Sequence, residues 1–120
     1  MEKLYSYIGH CEDERCISDE MAMLLKGSKE VPVKVGGFVL RVDVVKDGDA
    51  YEVKLDSEPY EGVGQAMAFK AAGMRPHLVH VLKERAASFD DYVEFYEALK
   101  LDFCVHIIAV DGRYKRICPS

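Results

Sequence analysis

Two acids and a lysine carry the chemical interest of this sequence: Asp43 in the run 38–46, and Glu52-Val53-Lys54 in the run 50–56. Both runs are rich in β-formers and are joined through Asp47-Gly48, the strongest short-range signal for a two-residue hairpin turn. Such a turn sets Lys46 opposite Asp49, and therefore Asp43 opposite Glu52 and Arg41 opposite Lys54. Directly opposed residues share a face, with Cβ atoms about 4.5–5.5 Å apart. Period-two alternation then gathers Arg41, Asp43, Glu52 and Lys54 on one side, and Leu40, Val42, Val44, Tyr51, Val53 and Leu55 on the other. Opposed carboxylates repel, and a hard, oxygen-seeking cation such as Mg²⁺ or Mn²⁺ removes the repulsion. An ammonium group one step along can orient a water or steady developing negative charge, so the set suits metal-assisted phosphodiester hydrolysis. The competing reading is a solvated hairpin face on which Arg41 and Lys54 balance the acids.

The elements that must hold these residues follow from pattern. Ser18-Asp19-Glu20 reads as a helix start, a capping serine followed by acids, with Met21, Leu24 and Leu25 as the apolar stripe and Gly27 as the stop. Residues 31–35 read as a short edge-like strand around Pro32, broken at Gly36-Gly37. Ser57-Glu58-Pro59 opens a second helix expected to run to about Ala72, with Gly73 beyond it. Gly62 and Gly64 read as positions for close backbone approach. Residues 77–82 form a buried-type strand, and Ser88 caps a third helix whose Phe89, Tyr92, Val93, Tyr96 and Leu99 stripe is core or a dimer face. Residues 103–110 are a strand that Asp111-Gly112 turns into residues 114–118. The order α-β-β-β-α-β-α-β-β implies an α/β fold, a mixed sheet with helices on its faces, in one domain spanning residues 1–120.

In that setting Asp43 followed by Glu52-Val53-Lys54 on the next strand resembles the PD-(D/E)XK nuclease superfamily, the restriction-endonuclease-like fold. The resemblance implies a core of order α-β-β-β-α-β, here about residues 18–82, as a mixed sheet flanked by helices. It implies that Asp43 and Glu52 bind Mg²⁺ or Mn²⁺ with help from the Val53 carbonyl, and that Lys54 positions the attacking water. A first-helix acid often joins such a site, and Glu20 is the best-placed candidate. Exonuclease-type members carry Gln-x-x-x-Tyr on the following helix. Gln65-Ala66-Met67-Ala68-Phe69 matches it with Phe69 replacing Tyr, and Gln65 would hold the site or the nucleic-acid backbone. Val42 stands where the family often has Pro before the Asp. The expected activity is a metal-dependent nuclease acting on nucleic acid, with DNA as the expected substrate. The alternative is an inactive nuclease-fold module that binds nucleic acid or assembles with partner proteins, and a third reading is a zinc-stabilised interaction domain.

Composition bounds these readings. A chain that is 49% hydrophobic is not disordered, and its net charge of −5 excludes coating nucleic acid by bulk positive charge. A local basic patch remains open, with Lys83, Arg85, Arg113, Lys115 and Arg116 as candidates. No apolar run approaches the roughly 18–20 residues that cross a bilayer, and the first residues lack a signal-peptide core. No membrane partner and a cytoplasmic location are therefore expected. Cys11, Cys16, Cys104 and Cys118 are too few for a disulfide scaffold, although intracellular hyperthermophile proteins do pair cysteines. His10, Cys11 and Cys16 are an incomplete zinc set, for which plain thiols or disulfides are the stronger reading. Cys104 and Cys118 either meet across the last hairpin or stay buried thiols. His77, His80 and His106 sit in apolar strands and read as packing residues. A chain this short has little room for a separate recognition domain, which points to a homodimer or a larger complex.

Overall fold

Asp47 and Gly48 both take positive φ, 49° and 86°, the pair of left-handed residues that a two-residue type I′ hairpin turn requires. Lys46 consequently faces Asp49, as the sequence predicts. Around that turn the computed structural model, which describes residues 1–120, places the helices α1 (Tyr5–Ile8), α2 (Glu14–Leu25), α3 (Val63–Ala71) and α4 (Phe89–Leu99). The strands are β1 (Ser28–Val35), β2 (Phe38–Lys46), β3 (Asp49–Leu55), β4 (Arg75–Leu82), β5 (Cys104–Ala109) and β6 (Tyr114–Ile117). They lie side by side in chain order in one six-stranded sheet. β1, β2 and β3 form an antiparallel meander, α3 and α4 return the chain for the parallel steps β3–β4 and β4–β5, and β6 folds back antiparallel. The result is a compact α/β fold built on a mixed sheet.

Helices cover both faces of the sheet. Leu4, Ile8, Ile17 and Met21 from α1, α2 and the segment before them pack with Val44, Tyr51, Val53, Val79, Val81 and Ile108. On the opposite face Ala66, Phe89, Tyr92 and Tyr96 from α3 and α4 pack with Leu78, Leu82, Val105 and Ile107. The aromatic stripe of α4 is therefore core and not a dimer face. β1 is an outer strand, and Pro32 within it lacks the N–H that an inner strand would need.

Two helix boundaries differ from the sequence reading. α2 begins a full turn earlier than Ser18, because Asp13 takes the N-cap and its carboxylate accepts a hydrogen bond from the Cys16 N–H at 2.8 Å. Ser18 is left inside the helix. Lys26, at φ 58°, supplies the left-handed C-cap, while a Cβ on Gly27 would stand 2.7 Å from the Val45 carbonyl oxygen. Gly27 thus serves the approach of the chain to β2 and does not stop the helix. α3 begins at Val63, not Ser57: residues 59–62 form a turn, and Gly62 caps the helix at φ 93°. No side chain fits there, since a Cβ would come within 2.4 Å of Leu78 Cδ1 and 3.4 Å of the Lys54 stem.

The cysteines pair as Cys11–Cys16 and Cys104–Cys118, leaving no free thiol. No helix is long and apolar enough to cross a membrane.

Candidate active site

The regular ladder between β2 and β3 runs from Lys46–Asp49 to Val44–Tyr51 and then ends. One residue further on, Asp43 turns its carboxylate into the gap, and Oδ2 accepts the Val53 N–H at 2.8 Å. The next inward N–H, that of Leu55, goes to Glu14 Oε2 of α2 at 3.1 Å. Side-chain carboxylates have thus replaced β2 carbonyls as the partners of β3. Both polar groups of a strand residue point toward the same neighbour, so the Val53 carbonyl faces this gap as well.

The opposite side of β2 is irregular at the same residue. Glu30 of β1, which lies across from Asp43, has φ 51°, a left-handed conformation unusual for a residue with a side chain. The alternation of side chains slips there. Val42 packs with Ala50 and Phe69 on the α3 face, whereas Val44, two residues on, packs with Ile17 and Met21 under α2. Lys29 likewise pairs with Asp19 of α2 at 2.8 Å, while Val33 joins the Phe69 cluster. The single apolar face expected for Leu40, Val42 and Val44 is therefore divided between two faces. Asp43 sits at the slip, almost in the plane of the sheet.

Glu52 and Lys54 are brought together as expected, with Lys54 Nζ 3.6 Å from Glu52 Oε2. Their strand positions pair with Leu78 and His80 of β4, which puts them on the α3 side, where the Lys54 stem passes over Gly62. Burial pushes the Glu52 carboxyl up to about 7, Asp43 adds to the rise, and Lys54 opposes it. Burial also raises Asp43, with Glu14 and Glu30 adding to the effect and the Val53 N–H working against it. His80 is fully buried and drops to about 4, so it puts no second cation beside Lys54.

On the α2 side a cleft of about 330 Å³, without one hydrophobic wall residue, is lined by Glu14, Arg15, Ser18, Asp19, Lys29, Glu30 and Asp43. Asp43 belongs to both this cleft and the buried pair. Glu52 and Lys54 are not cleft walls. Asp43 Oδ1 and Glu14 Oε1 make no hydrogen bond within the protein, and Glu52 makes none beyond its ion pair with Lys54. Unpaired oxygens, mutual repulsion and a carbonyl turned into the gap are the donor set a hard cation takes. The carboxylates do not close on a point: the only trio of potential ligands within 4.8 Å is His10, Cys11 and Cys16. Asp43 and Glu52 could therefore hold an ion with water completing its shell, as Mg²⁺ prefers.

Glu14 is the acid that sequence reasoning missed. Its signal was present in Asp13, a capping residue directly before Glu14 in the first turn, and Ser18 drew attention one turn too late. Glu20 lies elsewhere, 3.8 Å from His10 Nε2 and beside Tyr7, Met23 and Leu24. Gln65 is exposed on the first turn of α3 and hydrogen-bonds to none of the site residues, while Phe69 is buried under Val42 and Ala50. Of the candidate basic patch, Arg85 is bound to Glu58 and Tyr92, Arg113 to Asp111, and Lys83 to the Cys11 carbonyl. Lys115 and Arg116 form no ion pair. No protein-family model, curated protein or solved structure matches the chain, so its functional reading rests on the geometry of this gap.

Proposed function

We propose that the chain is a nuclease dependent on Mg²⁺ or Mn²⁺, with the restriction-endonuclease-like arrangement, and that it hydrolyses phosphodiester bonds in nucleic acid, DNA being the expected substrate. One observation carries the reading: the β2–β3 ladder ends one pair short of Asp43 and Glu52, Asp43 turns its carboxylate into the opening, and Lys54 stands 3.6 Å from Glu52. The element order from α2 to β4 agrees with the core that the sequence resemblance implies. Asp43 and Glu52 are the ligands, with the Val53 carbonyl aimed into the same gap. Glu14 takes the part that the sequence reading gave to Glu20 and stiffens β3 through the Leu55 N–H. An ion held by Asp43 and Glu52 would supply an activated water and polarise the phosphate. Lys54 contributes a positive charge in a buried setting, where it acts on developing negative charge more strongly than it would in water. Its stem is fixed by the close approach of Gly62. Gln65, exposed at the start of α3, is free to meet a nucleic-acid backbone.

The second reading, an inactive module that binds or assembles, draws on the 3.6 Å Lys54–Glu52 pair, which satisfies both groups without substrate, and on how few basic side chains are left uncommitted. As a cytoplasmic enzyme the protein would keep its two disulfides as hyperthermophile proteins do. Lys54→Ala given labelled DNA and Mn²⁺ separates the two readings. The nuclease reading expects cleavage to fall on the order of 100–1,000-fold with Mn²⁺ binding retained, and equal cutting by variant and parent sinks it. A parent that neither binds Mn²⁺ nor cuts leaves the assembly reading.

A further inference from the structure

The Cys11–Cys16 disulfide closes the joint between α1 and α2, His10 lies against it, and Glu20 lies on the far side of His10. His10 Nε2 lies 3.5 Å from Cys16 Sγ and 3.9 Å from Cys11 Sγ. The same nitrogen lies 3.8 Å from Glu20 Oε1. A tetrahedral zinc site with Zn–S near 2.3 Å and Zn–N or Zn–O near 2.0–2.2 Å has ligand-to-ligand edges of about 3.3–3.8 Å. The two separations from His10 to sulfur are close to those edges, and the ligand atoms of His10, Cys11 and Cys16 all lie within 4.8 Å of one another, with Glu20 outside that trio and one rotamer away on the His10 side. Cys16 and Glu20 are one helical turn apart on α2 and so project from one face, while His10 and Cys11 come from the preceding segment. Cys11 is buried and His10 exposed, so the cage has an apolar floor and an open mouth.

We propose that this joint is a redox-gated zinc site, in which the Cys11–Cys16 disulfide and a Zn²⁺ ion held by His10, Cys11, Cys16 and Glu20 are alternative occupants of one cage. A dithiol reductant opens it: the Sγ–Sγ bond breaks, each sulfur receives one hydrogen, and the dithiol closes to its own disulfide. Zn²⁺ then displaces the two thiol protons, and neutral His10 and the Glu20 carboxylate complete four-coordination. Two thiolates and a carboxylate leave the complex one negative charge in excess, beside the Lys83 ammonium that donates to the Cys11 carbonyl at 3.0 Å. Either occupant fixes the loop carrying Asp13 and Glu14, and hence the first turn of α2. The proposal is independent of the nuclease reading, because its ligands are thiolates and imidazole at another place on the fold.

Co²⁺ is the probe, since thiolate ligation gives an intense sulfur-to-metal band that carboxylate sites lack. The full chain, reduced with a dithiol, desalted without oxygen and checked by thiol titration, is expected to take up about one equivalent of Co²⁺ with that band. Zn²⁺ should displace it, and the oxidised protein should show none. Cys104→Ser/Cys118→Ser should keep the band, Cys11→Ser/Cys16→Ser should lose it while circular dichroism shows the fold retained, and Glu20→Gln should weaken affinity about tenfold or more. A reduced protein with free thiols and no band overturns the proposal, as does a band that survives loss of Cys11 and Cys16. Unchanged affinity in Glu20→Gln removes Glu20 from the ligand set.

Discussion

The β2–β3 gap and the β3–β6 side of the sheet both bury ionisable side chains, and they treat them in opposite ways. On the α1–α2 face a chain of hydrogen bonds crosses four strands: Asp49 Oδ1 to His77 Nε2 at 3.0 Å, His77 Nδ1 to His106 Nε2 at 3.0 Å, and His106 Nδ1 to the Tyr114 hydroxyl at 2.8 Å. Only one arrangement of protons satisfies it when both rings are neutral. Tyr114 donates to His106, His106 to His77, and His77 to the Asp49 carboxylate. Burial holds both histidines below their ordinary value, His106 at about 3, so neutrality is the state that fits. Every polar atom in that chain has a partner. In the gap, by contrast, Lys54 pairs with Glu52 alone, while Asp43 and Glu14 each accept a single β3 N–H. Buried polar groups fully paired make structure, whereas ionisable groups with raised pKa beside a cleft are candidates for chemistry.

That contrast is most exposed to test at Glu52. Glu52→Gln should cut cleavage on the order of 1,000-fold and still make the metal-free protein more stable at pH 8, by roughly 2–3 kcal/mol in urea denaturation. The sign follows from its raised value. The folded protein holds this proton more tightly than the unfolded chain, so the contribution is complete below about 4.5 and is lost as pH rises through about 7. Apparent Mn²⁺ affinity should climb over the same interval as the proton leaves. A variant that loses stability together with activity would put Glu52 in the structural class.

His106→Leu should behave in the reverse way. It strands His77 Nδ1 and the Tyr114 hydroxyl and should cost about 2–4 kcal/mol at pH 7, with Mn²⁺ affinity unchanged by calorimetry. Because the folded protein depresses this histidine, its contribution is present above pH 6.5 and fades as pH falls toward 3, so the variant should also show a flatter acid limb. Gly62→Ala comes next, at about 1–3 kcal/mol by thermal unfolding, since a methyl group there meets Leu78 at positive φ and crowds the Lys54 stem. The smallest effect distinguishes the two acids of α2. Glu14→Gln should weaken Mn²⁺ binding a few-fold, roughly 3–10-fold, and Glu20→Gln should leave Mn²⁺ binding where it was.

Much of this arrangement was legible because local chemistry wrote it down. Asp47-Gly48 can hardly serve as anything but a tight turn, and that turn sets the register from Lys46–Asp49 to Val44–Tyr51, one pair short of the expected Asp43–Glu52. The alternating strands, the stripe of α4 and the sheet class follow with little competition. The misreadings have physical causes. Ser18 and Asp13 both look like caps, and only the packing of Ile17 and Met21 against the sheet decides between them. Pro59 suits a helix start, but Gly62 must come so close to Leu78 that the chain turns first and coils afterward. The slip at Glu30 and Asp43 has no signature at all, because a glutamate occupies the left-handed position where a glycine would have announced it. Lys26 and Lys100 hide two helix ends for the same reason.

Pro32 bears on how copies of this molecule can meet. The free flank of β1 is interrupted where the imino ring stands, and Lys29 and Lys34 lie to either side of it. A neighbouring strand that runs past that point meets a residue with no N–H to offer. Strand-to-strand self-association along this margin is therefore disfavoured at Pro32.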